Sequence, residues 1–202
     1  MKKKQVFLIH GGETFGRHSD YIEYLRSRTI SLEKRKGWQD SFEKSLSKQF
    51  EVVRPRMPRS ENAQYEEWAI HFKRFFPFLQ DGIVLVGNSL GAGFLVKWLA
   101  SHRFPRKISG VFLVAPPFDN TLRDSELTNG FVIRGDLSQL PKQCENIHFF
   151  FSENDECVPI AHAEKFRRKL PEANFHSYPD KNGHFSVERF PELVRLIRKT
   201  CS

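Results

Sequence analysis

Gly87-Asn88-Ser89-Leu90-Gly91 has the residue types and spacing of a serine held for nucleophilic attack. The apolar run Ile83 to Val86 leads into it, and a helical stretch from Ser89 to Ser101 follows. The pattern is strand, Gly-x-Ser-x-Gly, helix. Such a turn is so sharp that the residues two before and two after the serine must lack bulk. Gly87 and Gly91 meet that need, and Gly93 lets the helix sit close to the sheet. The serine is expected in a strained conformation costing about 1–3 kcal/mol. Its oxygen lies near the positive end of the following helix. A bare Gly-x-Ser-x-Gly arises by chance in roughly one chain of this length in fifteen. The flanking strand and helix lower that chance.

A serine hydroxyl needs a base, and the base needs an orienting acid. On a strand-turn-helix scaffold of this kind the order along the chain is serine, acid, histidine. His184 sits late, in the loop Asn182-Gly183-His184-Phe185, and is read as the base. His162 falls at a helix start and His176 inside a strand, so both read as structural. Asp155 is chosen as the acid because it follows the strand 147–151 in the turn Ser152-Glu153-Asn154-Asp155. Glu153, Glu156 and Asp180 are its rivals. Acyl transfer also places negative charge on the former carbonyl oxygen, which backbone N–H groups must meet. Leu90 N–H is one candidate. Gly12, with Glu13 as the alternative, supplies the second from the loop after the first strand. His10 reads as a hydrogen-bonder within that loop.

These groups need elements that bring them together. Short apolar runs at 5–9, 51–54, 83–86, 111–114, 147–151 and 174–178 read as strands. Helical spacing appears at 38–48, 63–76, 89–101, 161–170 and 187–199. A short helix through Tyr21, Ile22, Tyr24 and Leu25 is expected, capped by Ser19 or Asp20. Strands alternating with helices predict an α/β fold, a three-layer α/β/α sandwich on a mainly parallel central sheet. One domain over residues 1–202 is expected. The segments 13–37 and 118–130 are expected to line the substrate site, with Tyr21, Tyr24, Leu25 and Asn88 as candidate pocket residues.

Composition narrows the function classes. Of 202 residues, 39% are apolar and 20 are Phe, enough for a sizeable core. The net charge of +8 comes from scattered Lys and Arg, with no run long enough to form a nucleic-acid arm. A positive field suits anionic substrates or acidic partners. Cys144, Cys157 and Cys201 are odd in number and lack zinc or CxxC spacing, which points to thiols in a reducing compartment. The apolar run Val6 to Ile9 is too short for a signal peptide, and no stretch reaches membrane-span length. A cytoplasmic protein is expected.

With these residues in hand, the chain resembles the α/β-hydrolase fold family over nearly its whole length. More narrowly, it is similar to the small, cap-less serine hydrolases related to retinoblastoma-binding protein 9. The residues that carry the resemblance are His10-Gly11-Gly12, Trp38, Pro55, Pro58, Glu66-Glu67-Trp68 and Gly87 to Gly91. Ser152 to Pro159 and Gly183-His184-Phe185 complete the set. Asn88 departs from it, since many relatives carry His there, and 13–37 is an insertion. The resemblance implies a carboxylesterase that works through a Ser-His-Asp triad and an acyl-enzyme, with no cofactor and no metal. It implies a small acyl ester as substrate, leaves a protein partner open, and allows a monomer or homodimer. A peptidase or thioesterase using the same triad, or a non-enzymatic binding protein on the same fold, are the alternatives.

Overall fold

The computed structural model describes residues 3–32, 37–123 and 125–201. Among the described residues six strands and six α-helices follow one another as β1 (Lys4–Ile9), α1 (His18–Ser27), α2 (Trp38–Leu46), β2 (Phe50–Val53), α3 (Tyr65–Lys73), β3 (Ile83–Asn88), α4 (Leu90–Ser101), β4 (Ile108–Val114), β5 (Ile147–Ser152), α5 (Ala161–Lys169), β6 (Asn174–Tyr178) and α6 (Pro191–Thr200). The strands form one sheet in the order β2-β1-β3-β4-β5-β6. Every neighbouring pair is parallel. The chain first builds outward from β1 to β2, then returns to place β3 on the other side of β1. That reversal opens a crevice at the carboxyl ends of β1 and β3, where open α/β sheets receive ligands.

Successive strand residues point to opposite faces, so an unbroken apolar strand feeds two cores. Phe7 and Ile9 of β1 join Trp68, Phe72, Phe94 and Phe166 on one face. Val6 and Leu8 join Trp38, Phe42, Leu193 and Ile197 on the other. Helices therefore cover both faces, giving the three layers of the α/β-hydrolase fold. Among the described residues no helix or strand interrupts 115–146, so no cap domain stands over the sheet.

Three of the differences between the helix ends and the sequence reading have local causes. α1 starts at His18 with Arg17 as its N-cap, and no side chain caps it. Asp20 instead accepts from Arg17 Nε at 3.0 Å, and Ser19 is turned to Asp20. α3 stops at Lys73, and a tight turn through Phe76–Phe78 follows around Pro77. α6 begins at Pro191, four residues later than Val187. A proline disfavours helical backbone in the residue before it, and Phe190 is non-helical with φ −132° and ψ 73°.

Candidate active site

Ser89 lies at the junction of β3 and α4 with φ 52° and ψ −121°. This is left-handed territory for a residue with a side chain, at a cost of about 1–3 kcal/mol. The neighbours enforce it. Ser89 N–H donates to Val114 O at 2.7 Å, and Ser89 O accepts from Ala92 N at 2.9 Å and Gly93 N at 3.1 Å. A Cβ added at Gly87 would meet Ala92 Cα at 2.4 Å, and one at Gly91 would meet His10 O at 2.4 Å. Both obstacles are backbone, so the glycines are a steric requirement of the turn.

Asp155 is almost wholly buried in the loop after β5. Its Oδ1 accepts from Cys157 N–H and Val158 N–H, each at 2.9 Å. Its Oδ2 accepts from His184 Nδ1 at 2.7 Å. Two amides thus aim the carboxylate, and the carboxylate fixes the ring. His184 is also held by its own loop. Asn182, Gly183 and Phe185 have φ of 53°, 66° and 51°, which curls the backbone tightly. Phe185 is buried against Tyr178 and Phe190 and anchors the turn. With Nδ1 committed to Asp155, Nε2 is left to take a proton. Ser89 and His184 line the same cavity of about 240 Å³, while no hydrogen bond joins them in this structure. Such bonds often tighten only when substrate is present.

The other titratable candidates serve elsewhere. His10 Nε2 accepts from Met57 N–H at 2.9 Å, and burial lowers its pKa. His162 Nδ1 accepts from Phe118 N–H at 3.0 Å. His176 pairs with His148 at 3.0 Å. Glu153, Glu156 and Asp180 are exposed, and Asp180 Oδ1 accepts from Asn154 Nδ2 and Asn182 N–H.

For the oxyanion, Glu13 N–H is already donated to Ser60 O at 2.8 Å, which removes it from the choice. Among the described residues no hydrogen bond occupies the amides of Gly12 or Leu90, and both residues line the cavity. They are close neighbours, since a Cβ on Gly12 would lie 3.3 Å from Leu90 Cδ2.

Asn88 lines the cavity, but Tyr21, Tyr24 and Leu25 do not. The pocket expected from them is corrected for a physical reason. No residue of α1 is buried, Tyr21 and Tyr24 spend their rings on Phe15, and Leu25 is exposed. The walls come instead from Glu13 and Thr14 of the early loop, from Pro117, Leu122 and 125–127, and from Cys157 and Val158. Sequence reading missed the link between Thr14 and Glu126, because a bond across 112 residues leaves no local signal.

Asp155, Cys157 and His184 bring their ligand-type atoms within 4.8 Å of one another, as a metal site would. The Asp155 carboxylate is already engaged with two amides and the imidazole. The donor set fits a hydrogen-bonded relay better than an ion.

Comparison with known proteins bears on the family and the fold. Residues 32–193 match a family described as serine hydrolase. None of the curated proteins matches the chain. Among solved structures, the ydeN gene product of B. subtilis superposes with a TM-score of 0.78 at 18% identity, covering 98% of each chain. A ydeN-like hydrolase from Pectobacterium atrosepticum gives 0.61 at 17% identity, over 97% of this chain and 89% of that one. A CIB-like hydrolase from Thermoplasma acidophilum gives 0.58 at 18% identity, over 97% and 84%.

Proposed function

The chain belongs to the serine hydrolase family, and from that premise we propose that it cleaves carboxylic esters through an acyl-enzyme on Ser89. Ser89 Oγ attacks the ester carbonyl while His184 Nε2 takes its proton. Asp155 holds the imidazole in the tautomer that accepts there and stabilises the imidazolium that forms. The Leu90 and Gly12 amides receive the oxyanion. Collapse of the tetrahedral adduct breaks the bond to the alcohol, which leaves with the proton from His184. Water then attacks the acyl-enzyme with His184 again as base. The carboxylic acid departs and Ser89 regains its proton.

The observation that carries this reading is buried Asp155 holding the partly exposed His184, which lines the same cavity as the strained serine. Release of p-nitrophenol from p-nitrophenyl acetate tests it. Wild type should turn over repeatedly, and His184→Ala should lose at least about a hundredfold in kcat, the usual worth of a general base. Equal rates in the two proteins would favour a binding protein that keeps only the fold. A panel of thioesters and peptide amides ranks bond preference. Cys144, Cys157 and Cys201 form no disulfide, which suits the reducing cytoplasm we assign it to. Among the described residues no helix is long and apolar enough to cross a membrane.

A further inference from the structure

The protein and its catalytic cavity carry charge of opposite sign. The chain has a formal net charge of +8. Yet among the described residues lining the cavity, the formally charged side chains are Glu13 and Glu126, beside His184, and none is lysine or arginine. We propose that Glu13, backed by Glu126, makes this cavity select esters that bear a positive charge close to the bond cleaved, such as a quaternary or protonated amine. The proposal rests on the ester-hydrolase reading above and names its substrate class. It reverses the preference for anionic substrates that net charge alone suggests.

The wall that carries the two carboxylates is built rigidly. Glu13 is clamped at both backbone groups. Its N–H donates to Ser60 O at 2.8 Å, and its O accepts from Ala63 N–H at 2.8 Å. Thr14, buried at 3% exposure, donates its hydroxyl to Glu126 O and accepts from Thr128 N–H at 3.0 Å. Gly16 N–H donates to Glu126 Oε2 at 3.3 Å. The early loop and the 125–128 segment are thereby riveted into one face.

Glu13 itself is half-buried, and its carboxylate has no hydrogen-bond or ion-pair partner among the described residues. Burial pushes its pKa up, while the neighbouring His184 pulls the other way, which places the two within electrostatic reach. A partly desolvated carboxylate without a partner is unfavourable. A cationic ligand supplies that partner and gains a charge-assisted contact in a confined site. An anionic ligand meets repulsion there.

The test uses matched esters, with charge once on the alcohol side and once on the acyl side. Acetylcholine is compared with its uncharged carbon isostere, and an ester of trimethylammoniobutanoic acid with its tert-butyl analogue. Wild type should favour at least one cationic member by roughly tenfold or more in kcat/KM. That ratio should shrink toward one in Glu13→Gln, in about 0.5 M salt, and as pH falls and Glu13 takes up a proton. Turnover of the neutral esters with no preference for either cation would overturn this inference and leave the proposed function standing. No turnover of any ester would remove the proposed function itself. Equal losses on charged and neutral esters in Glu13→Gln would show that Glu13 only tunes His184, and would also overturn it. Should the variant fail to fold, wild type decides. Tetramethylammonium should slow fluorophosphonate labelling, and labelling indifferent to it would count against the selection.

Discussion

Asp155 shows how much one buried carboxylate can settle. Its two oxygens have separate duties, one fixed by two amides and the other fixing His184. Asp155→Asn should keep the shape of the site and lose the chemistry. The amide oxygen would satisfy the Cys157 and Val158 N–H groups, and its NH₂ would donate to His184 Nδ1. The proton would then move to Nε2, where it cannot accept from serine. A fall in kcat of about 10³- to 10⁴-fold with an unchanged unfolding midpoint is expected. Steady-state kinetics and urea unfolding on the same preparation check it, and a loss under tenfold would contradict the assigned orientation. At this scale Ser89, Asp155 and His184 were read from short local patterns that follow strands, and the structure sets Asp155 against His184 and Ser89 on the same cavity as that ring. The acidic wall was not, since Thr14 meets Glu126 only after the chain has folded around three strands. Tyr21 and Tyr24 misled for the converse reason. Aromatic residues near a site in sequence look like lining, but here Phe15 absorbs them.

Elements set the tolerances that these residues need. The β3–α4 turn closes only because Gly91 has no side chain, since a Cβ there would lie 2.5 Å from Ile9 O and 2.4 Å from His10 O. Gly91→Ala should destabilise the fold by about 1–3 kcal/mol, the range for overpacking, and lower kcat as α4 is pushed from β1. Urea unfolding and ester turnover measure the two effects, and a neutral change in both would contradict this reading of the turn. A second case lies at the sheet edge, where His148 of β5 and His176 of β6 meet at 3.0 Å among stacked rings. Burial, and secondarily His176, lowers the His148 pKa from 6.5 to about 4, and burial lowers that of His176. In the unfolded chain both rings titrate near 6.5. The unfolded state therefore binds more protons below that pH. The stability contributed by the neutral rings is full above about pH 6.5 and is lost as pH falls toward about 4. His148→Gln should flatten that acid limb in urea unfolding at stepped pH, and an unchanged limb would assign it to other groups. Element types and order were readable from apolar runs and helical spacing. Element ends were less so, because Pro191 and the uncapped start of α1 depend on backbone geometry that periodicity does not report.

At the scale of the whole molecule, the sheet sets Ser89 and His184 on one cavity and Asp155 against His184. A parallel sheet sends every strand's carboxyl end to one edge, and the order β2-β1-β3-β4-β5-β6 sets the β3 elbow two strands from the β5 loop. The runs 5–9 and 83–86 were legible as buried strands because they lack polar alternation, and their residues feed two cores as that pattern requires. What the sequence did not reveal at this scale is the sign of the cavity, which opposes the net charge. The account stands or falls on Ser89 being a nucleophile activated by that convergence. Fluorophosphonate labelling followed by peptide mass mapping tests it most directly. The adduct should sit on Ser89 in the peptide that spans the elbow. Ser89→Ala should take no label, and His184→Ala should label far more slowly than wild type. A label on another residue, or equal labelling in Ser89→Ala, would contradict the account.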